Sequence, residues 1–159
     1  MNNKSTNKLL KTGRMKDTLA IAADHAGYTM KLSLIKYLKD LGYKVMDFGT
    51  DSEEAVDYPD YGHPLAEAVT SGRCAMGISL CGSGNGINMV TNKHQGIRGA
   101  ICWSKEISRL ARSHNDANIC SLPARFLDFD MAKEILDVFL ETEFEGGRHV
   151  KRIAKIPIP

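Results

Sequence analysis

The hexapeptide Cys81-Gly82-Ser83-Gly84-Asn85-Gly86 places a thiol beside a glycine-rich turn. The apolar residues 75–80 before it predict a buried strand, and residues 87–91 after it predict the start of a helix. Its glycines permit a sharp turn that points several N–H groups into one concavity, where the N-terminus of the next helix also favours negative charge. The same field stabilises a thiolate, which acts as a nucleophile or a base. The hexapeptide is therefore a candidate chemical site.

This turn also has a purely structural explanation. Glycine-rich strand-to-helix turns occur for packing alone, and a free cysteine is often a small buried hydrophobe. The turn is not the dinucleotide-binding pattern G-x-G-x-x-G, because the third glycine would fall at Ile87. It also lacks the Lys-Ser/Thr ending of a nucleotide-binding P-loop. By itself the hexapeptide leaves chemistry and packing equally open.

Three further groups of polar residues are candidates for the same site. Asp24 and His25 follow the first predicted strand, although an aspartate there could simply cap the next helix. His114 follows a predicted helix, where an imidazole is often only solvated. Arg148 and Arg152 share one face if Gly147 starts a helix, although charged tails are often solvated too. One thiol, one imidazole, one carboxylate and paired arginines suit a phosphorylated substrate that undergoes proton transfer.

Alternating strands and helices must position these residues. Short apolar runs predict five strands, at 18–23, 43–48, 74–80, 97–103 and 117–122. Helical segments separate them, which predicts a three-layer α/β/α sandwich around a five-stranded parallel sheet of Rossmann-like or flavodoxin-like type. Ligands bind beyond the carboxyl ends of the strands in such sheets. His114 precedes the fifth strand, so its loop is expected at the opposite edge, where it would need a second subunit or a long reach.

Two of the predicted helices carry specific expectations about packing. In the first, Tyr28, Leu32, Ile35 and Leu38 mark one buried face. Three lysines of that helix, Lys31 among them, are expected to point away from this face. In the second helix, Pro64 is expected in the first turn, where a missing N–H is tolerated.

Composition and charge are those of an ordinary globular protein. The chain has 159 residues, of which 43% are hydrophobic and 25% charged, and its net charge is +2. These values predict one domain over residues 17–159 with a C-terminal basic arm, and they argue against nucleic-acid and membrane partners. Residues 1–16 begin with a polar, basic stretch that lacks the apolar core of a signal peptide, so a disordered N-terminal extension is expected.

The four cysteines form no C-x-x-C pair, so neither a zinc motif nor a redox motif is supported. Three of them, Cys74, Cys102 and Cys120, lie within predicted strands and are expected to be packed thiols. Free, scattered cysteines fit a reducing cytoplasm.

Seven motifs occur in order between residues 17 and 153. They are Ala23-Asp24-His25-Ala26-Gly27, Asp57-Tyr58-Pro59, Cys81-Gly82-Ser83-Gly84-Asn85-Gly86, Asn92-Lys93, Gly96-Ile97-Arg98, His114-Asn115-Asp116-Ala117-Asn118 and Glu145-Gly146-Gly147-Arg148-His149. Together they make the chain resemble the type B ribose-5-phosphate isomerases, whose family also includes the galactose-6-phosphate isomerase subunits. No single motif would be sufficient.

The resemblance implies an aldose–ketose isomerase of the pentose phosphate pathway. Such an enzyme interconverts D-ribose 5-phosphate and D-ribulose 5-phosphate through an enediolate, without a metal or an organic cofactor. Cys81 would be the base that moves the proton between C1 and C2. The loop backbone and the Ser83 hydroxyl would hold the enediolate oxygen, and His114 would open the furanose ring.

The resemblance also implies a substrate-binding set and an assembly. The implied contacts with the sugar or its phosphate are Asp24, His25, Tyr58, Gly82, Ser83, Gly84, Asn85, Gly86, Asn115, Arg125, Arg148 and Arg152. The family forms dimers with active sites at the subunit interface, so a homodimer or a dimer of dimers is expected. A dimer would also remove the difficulty over the position of His114.

Two sequence features narrow the alternatives: the residue at position 87, and the combination of Cys81, His114 and the arginines. Members that lack the cysteine use a glutamate just after the glycine loop, where this chain has Ile87, so it belongs with the cysteine-base group. Sequence does not separate a five-carbon substrate from a six-carbon one such as allose or galactose 6-phosphate. A noncatalytic nucleotide-binding module would explain the loop and sheet, but it would not explain Cys81, His114 and the arginines together.

Overall fold

Five parallel strands form one sheet in the computed structural model, which describes residues 17–159. The strands are β1 (Thr18–Ala23), β2 (Lys44–Asp47), β3 (Met76–Cys81), β4 (Gly99–Ile101) and β5 (Ile119–Pro123). The helices are α1 (Tyr28–Asp40), α2 (Pro59–Thr70), α3 (Asn85–Thr91), α4 (Lys105–Asn115), α5 (Phe129–Glu141) and α6 (Arg148–Ile153), and a short 3-10 helix, His25–Gly27, precedes α1. The expected N-terminal extension lies outside the described residues.

Alternation along the strands buries both faces of the sheet. Leu19 and Ile21 of β1 belong to one apolar cluster, whereas Ala20 and Ala22 belong to the other. Helices α1, α4 and α5 cover the first face, and α2 and α3 cover the second. The expected three-layer sandwich is confirmed, and each strand boundary agrees with its prediction to within two residues.

The strand order β2-β1-β3-β5-β4 places the site at the middle of the sheet. The chain leaves β1 toward β2 on one side and returns to β3 on the other, with Ala23 beside Leu80. This reversal opens a crevice at the carboxyl ends of β1 and β3, which is where ligands bind in such sheets. Asp24 and Cys81 therefore come from neighbouring strands.

The predicted face of α1 is wrong in one respect, because Lys31 is fully buried and Leu32 is 46% exposed. The Lys31 ammonium donates to both carboxylate oxygens of Asp47, at 2.6 and 2.7 Å, and to the Thr50 carbonyl at 2.8 Å. Three oxygen acceptors offset the cost of burying the charge. Hydrophobic periodicity cannot anticipate such a partner, since Asp47 lies on another element.

The second helix begins earlier than predicted. Pro59 occupies its first turn, and Pro64 lies inside the helix. The first turn leaves N–H groups unpaired in any helix, so Pro59 costs nothing there. Either proline fits the sequence rule, and the structure selects the earlier one.

Two of the cysteine assignments also need correction. Cys74 precedes β3 and Cys102 follows β4, so only Cys120 of the three lies in a strand. All three side chains are nevertheless buried, as expected for packed thiols. At the first residue of β4, the Asn92 side chain accepts from the Gly99 N–H at 2.9 Å and donates to the Gly99 carbonyl at 3.0 Å.

Over residues 17–159, the helices are all too short or too polar to cross a bilayer.

Candidate active site

Cys81 is the last residue of β3 and is 4% exposed. The chain then turns through Gly84, whose φ of 75° is left-handed, and enters α3. A Cβ on Gly84 would lie 3.2 Å from the backbone nitrogen of Pro123 on β5. This position therefore requires glycine both for its left-handed φ and for lack of space. The Ser83 hydroxyl accepts from the Asn85 N–H at 3.3 Å, which closes the turn.

Arg125 and Tyr58 lie against this loop. The N–H of Arg125 donates to the Gly82 carbonyl at 3.0 Å, and a Cβ on Gly82 would lie 3.1 Å from the Arg125 guanidinium. A Cβ on Gly86 would lie 2.6 Å from the Tyr58 ring. A cation and a phenol therefore flank the thiol loop, in positions that only glycines leave open.

Asp24 and His25 complete the carboxyl edge of the sheet. The buried Asp24 carboxylate accepts from the N–H groups of Ala26 and Gly27, at 2.9 and 3.3 Å, so its capping role is confirmed. These bonds use Oδ1. His25 Nδ1 accepts from the Val56 N–H at 3.1 Å. Because a backbone N–H must donate, His25 carries its proton on Nε2 and presents a donor.

His114 and Asn115 lie at the other edge of the sheet. They are the last two residues of α4, which starts after the carboxyl end of β4 and ends before the amino end of β5. The next residue, Asp116, has φ 46°, and its carboxylate pairs with Arg98 and Arg112 at 3.0 and 2.8 Å. These two ion pairs hold a backbone conformation that non-glycine residues rarely adopt.

The C-terminal helix adds its polar residues to this second group. Gly147 is the N-cap of α6, so Arg148 and Arg152 lie one turn apart on a helix as predicted. His149 is 7% exposed, and its ring stacks on the ring of His114 with centroids 4.3 Å apart and planes 13° apart. Burial, with the neighbouring His114, Arg148 and Arg152, holds the pKa of His149 below its usual value.

Two separate groups therefore result from the predicted site residues. The group at the carboxyl edge holds Asp24, His25, Tyr58, Cys81, Gly82, Ser83, Gly84, Asn85, Gly86 and Arg125. The group at the amino edge holds His114, Asn115, Arg148 and Arg152. Within one chain the sheet separates the thiol from the imidazole, as the sequence predicted.

Sequence reasoning did not connect Glu145 and His149 with His114. Glu145 Oε2 lies 3.8 Å from Nε2 of His114 and 3.9 Å from Nε2 of His149. Both residues lie in the motif Glu145-Gly146-Gly147-Arg148-His149, which was the one sequence signal that could have pointed to them. No periodicity rule brings this motif next to His114, which lies on a different helix.

The same three side chains are the candidates for a metal site among the described residues. Their ligand atoms lie within 4.8 Å of one another. A histidine nitrogen binds a metal through a lone pair in the plane of its ring, and nearly parallel rings do not aim two lone pairs at one point. Arg148 and Arg152 add positive charge beside His149. The arrangement suits a proton-handling pair or an anion better than a cation.

Comparison with known proteins gives a consistent result. The sequence model of the family described as Ribose/Galactose Isomerase matches residues 19–156. Ribose-5-phosphate isomerase B of Escherichia coli K12 is 38% identical over 138 residues, which cover 87% of this chain and 93% of the relative.

Solved structures agree in fold as well as in sequence. Ribose-5-phosphate isomerase B of Clostridium thermocellum is 48% identical with a TM-score of 0.87, over 87% of this chain and 94% of that chain. The Mycoplasma genitalium enzyme with bound ribulose-5-phosphate is 37% identical with a TM-score of 0.85, over 90% of this chain and 95% of that chain. On these matches, the chain belongs to the ribose/galactose isomerase family.

Proposed function

We propose that the protein interconverts D-ribose 5-phosphate and D-ribulose 5-phosphate, as a step of the pentose phosphate pathway. The observation that carries this proposal is the Cys81 thiol, buried at the carboxyl end of β3 and followed at once by the glycine turn. The names of the relatives support it, as does the ribulose-5-phosphate bound to the Mycoplasma genitalium protein.

The chemical step is a proton transfer between adjacent carbons. The Cys81 thiolate removes the C2 proton of the open-chain aldose and returns it to C1. The proton of the C2 hydroxyl is transferred to the C1 oxygen, so that C2 becomes the ketone carbon and C1 carries the new hydroxyl. Negative charge develops on the oxygen of the enediolate after the C2 proton has left and before a proton is returned to C1. The N–H groups of the glycine turn and the Ser83 hydroxyl stabilise that charge, which is the form of catalysis that most lowers such barriers. Asn85 supports Ser83, whose hydroxyl accepts from the Asn85 N–H at 3.3 Å.

The remaining residues bind the sugar and open its ring. Asp24, His25 and Tyr58 contact hydroxyls or the phosphate from the carboxyl edge, where Arg125 also supplies a guanidinium. His114 transfers protons during opening of the furanose, and Asn115 binds the sugar beside it. Arg148 and Arg152 bind the phosphate, because two guanidinium groups match its oxygens.

These roles require two chains, since the thiol and the imidazole lie at opposite edges of one sheet. In a twofold dimer each amino edge meets the partner's carboxyl edge, which gives two equivalent sites. Exposed apolar side chains near the carboxyl edge, Met89, Trp103 and Phe126, support such a contact. A groove of about 390 Å³ beside Asn115 also leaves apolar side chains open at the amino edge. The assembly is a homodimer or a dimer of dimers.

Residues 17–159 form the catalytic domain, with α6 as its C-terminal basic arm. The protein works in the cytoplasm, which four free, buried cysteines support.

Turnover on different sugar phosphates tests the function directly. The wild-type enzyme is expected to have a higher kcat/KM for ribose 5-phosphate than for allose 6-phosphate or galactose 6-phosphate. A preference for a six-carbon sugar would reassign the substrate within the same mechanism. Nucleotide binding without turnover would contradict the assignment as an enzyme.

Removing divalent metals should leave the activity unchanged. The proposed proton transfer uses a thiolate and N–H donors and needs no Lewis acid. Enzyme treated with a chelator and assayed in metal-free buffer is therefore expected to keep its full rate. A loss of rate that one divalent ion restores would contradict the metal-free mechanism.

The variant Arg148→Ala should bind phosphorylated sugars less tightly. Loss of a charge-assisted hydrogen bond to phosphate is expected to raise KM about ten- to a hundredfold. The matched control is Lys151→Ala, which removes one exposed positive charge from the same helix. Equal kinetics for Arg148→Ala and the wild type would place this arginine in solvent.

A further inference from the structure

We propose that His149 is a positioning residue that holds the imidazole of His114 in place for ring opening. The inference rests on the proposed function, in which His114 opens the furanose. His149 itself has no role in the proposed proton transfers or in substrate binding.

The stack gives His114 one supported face and one open face. Its centroid lies 4.3 Å from that of His149, with the planes 13° apart, and the His149 side chain is 8% exposed against 33% for His114. His149 is thus the buried support, and His114 is the ring that a ligand can reach. His114 lies at the end of α4, where no later helical turn restrains the side chain.

The His149 backbone is itself well held. Its N–H donates to the Gly146 carbonyl at 3.1 Å, and the Glu145 N–H donates to the Ser113 carbonyl at 3.0 Å. The second bond ties the start of this segment to α4, one residue before His114. The two rings are therefore joined both through their faces and through the backbone.

The charges around the pair favour a neutral supporting ring. Burial, the neighbouring His114 and the cations of Arg148 and Arg152 lower the pKa of His149, and Glu145 acts in the opposite direction. The Glu145 carboxylate lies about equally far from both rings, at 3.8 and 3.9 Å. When His114 takes up a proton during ring opening, it therefore meets a neutral ring and a carboxylate rather than a second imidazolium.

Two variants separate support from other roles. His149→Ala removes the stack, and His149→Phe keeps an aromatic face while removing both nitrogens. The exposed Lys151→Ala on the same helix is the control. Two rates are measured: turnover of ribose 5-phosphate, which requires ring opening, and exchange of solvent deuterium into ribulose 5-phosphate, which does not.

His149→Ala is expected to lower kcat for ribose 5-phosphate about ten- to a hundredfold, because small misplacements of a catalytic group have effects of that size. KM and the exchange rate should stay near wild type, and His149→Phe should restore most of kcat.

A rise in KM alone would show that His149 instead docks α6 with its arginines, and equal loss of kcat in both variants would show that stacking is not its role. A parallel loss of exchange, or no change at all, would also overturn the inference.

Failure of the proposed function has a different signature. In that case the wild-type enzyme would not turn over ribose 5-phosphate, or His114→Ala would leave turnover unchanged. The inference about His149 fails by itself only when the wild type is active and His114→Ala is impaired.

Discussion

The variant Cys81→Ala is expected to lose ~10²–10⁴-fold or more of its rate in both directions, the usual contribution of a general base. The reason is positional as well as chemical. Cys81 ends β3 at the crevice, and both substrates require cleavage of a C–H bond whether or not a ring must first open. No second thiol replaces it, since Cys74, Cys102 and Cys120 are buried outside the glycine turn.

Exchange of solvent deuterium into ribulose 5-phosphate measures the C–H step alone. The matched control is Cys74→Ala, which removes a buried free thiol from the core on the α2 face and should keep the exchange rate. Near-normal exchange in Cys81→Ala would show that another group is the base.

The variant His114→Ala should distinguish the two substrates. Ribose 5-phosphate is mainly a furanose, so its isomerisation should fall by ~10²–10⁴-fold when the ring-opening group is lost. Ribulose 5-phosphate cannot form a furanose ring, so its deuterium exchange should be much less impaired. The asymmetry follows from the proposed division of roles, in which His114 acts in ring opening and Cys81 acts in C–H cleavage.

Parallel assays of both reactions check this asymmetry. His63→Ala is a suitable control, because His63 is exposed on α2 and pairs with His94 rather than with the candidate site. Complete loss of exchange in His114→Ala would overturn the division of roles between thiol and imidazole.

Local patterns predicted the three central strands β1, β3 and β5 well because these strands are buried on both faces. The run from Leu19 to Ala23 is apolar on both faces, so it is easily recognised as a buried strand. The residues that follow β1 and β3 then indicate where the crevice lies. The side chains of Ser104 and Asp128 cap α4 and α5 by accepting from the N–H groups of Ile107 and Met131, at 3.3 and 2.8 Å, as serine and aspartate commonly do at helix starts.

Contacts between residues that are far apart in the chain could not be predicted from the sequence. Lys31 was expected in solvent because α1 alone offers no partner for it, and Asp47 on β2 supplies one. The stack of His149 on His114 depends likewise on where α6 docks against α4. Charged and aromatic side chains take their environment from tertiary packing, which hydrophobic periodicity does not encode.

Mixed dimers test the central claim most directly, that each active site combines Cys81 of one chain with His114 of the other. Cys81→Ala and His114→Ala chains are co-expressed with different tags, and the mixed dimer is purified. One of its two sites lacks both groups and the other lacks neither, so the account predicts about half of the wild-type rate on ribose 5-phosphate from two nearly inactive parents. A mixed dimer as inactive as its parents would show that each chain holds a complete site and would contradict the account.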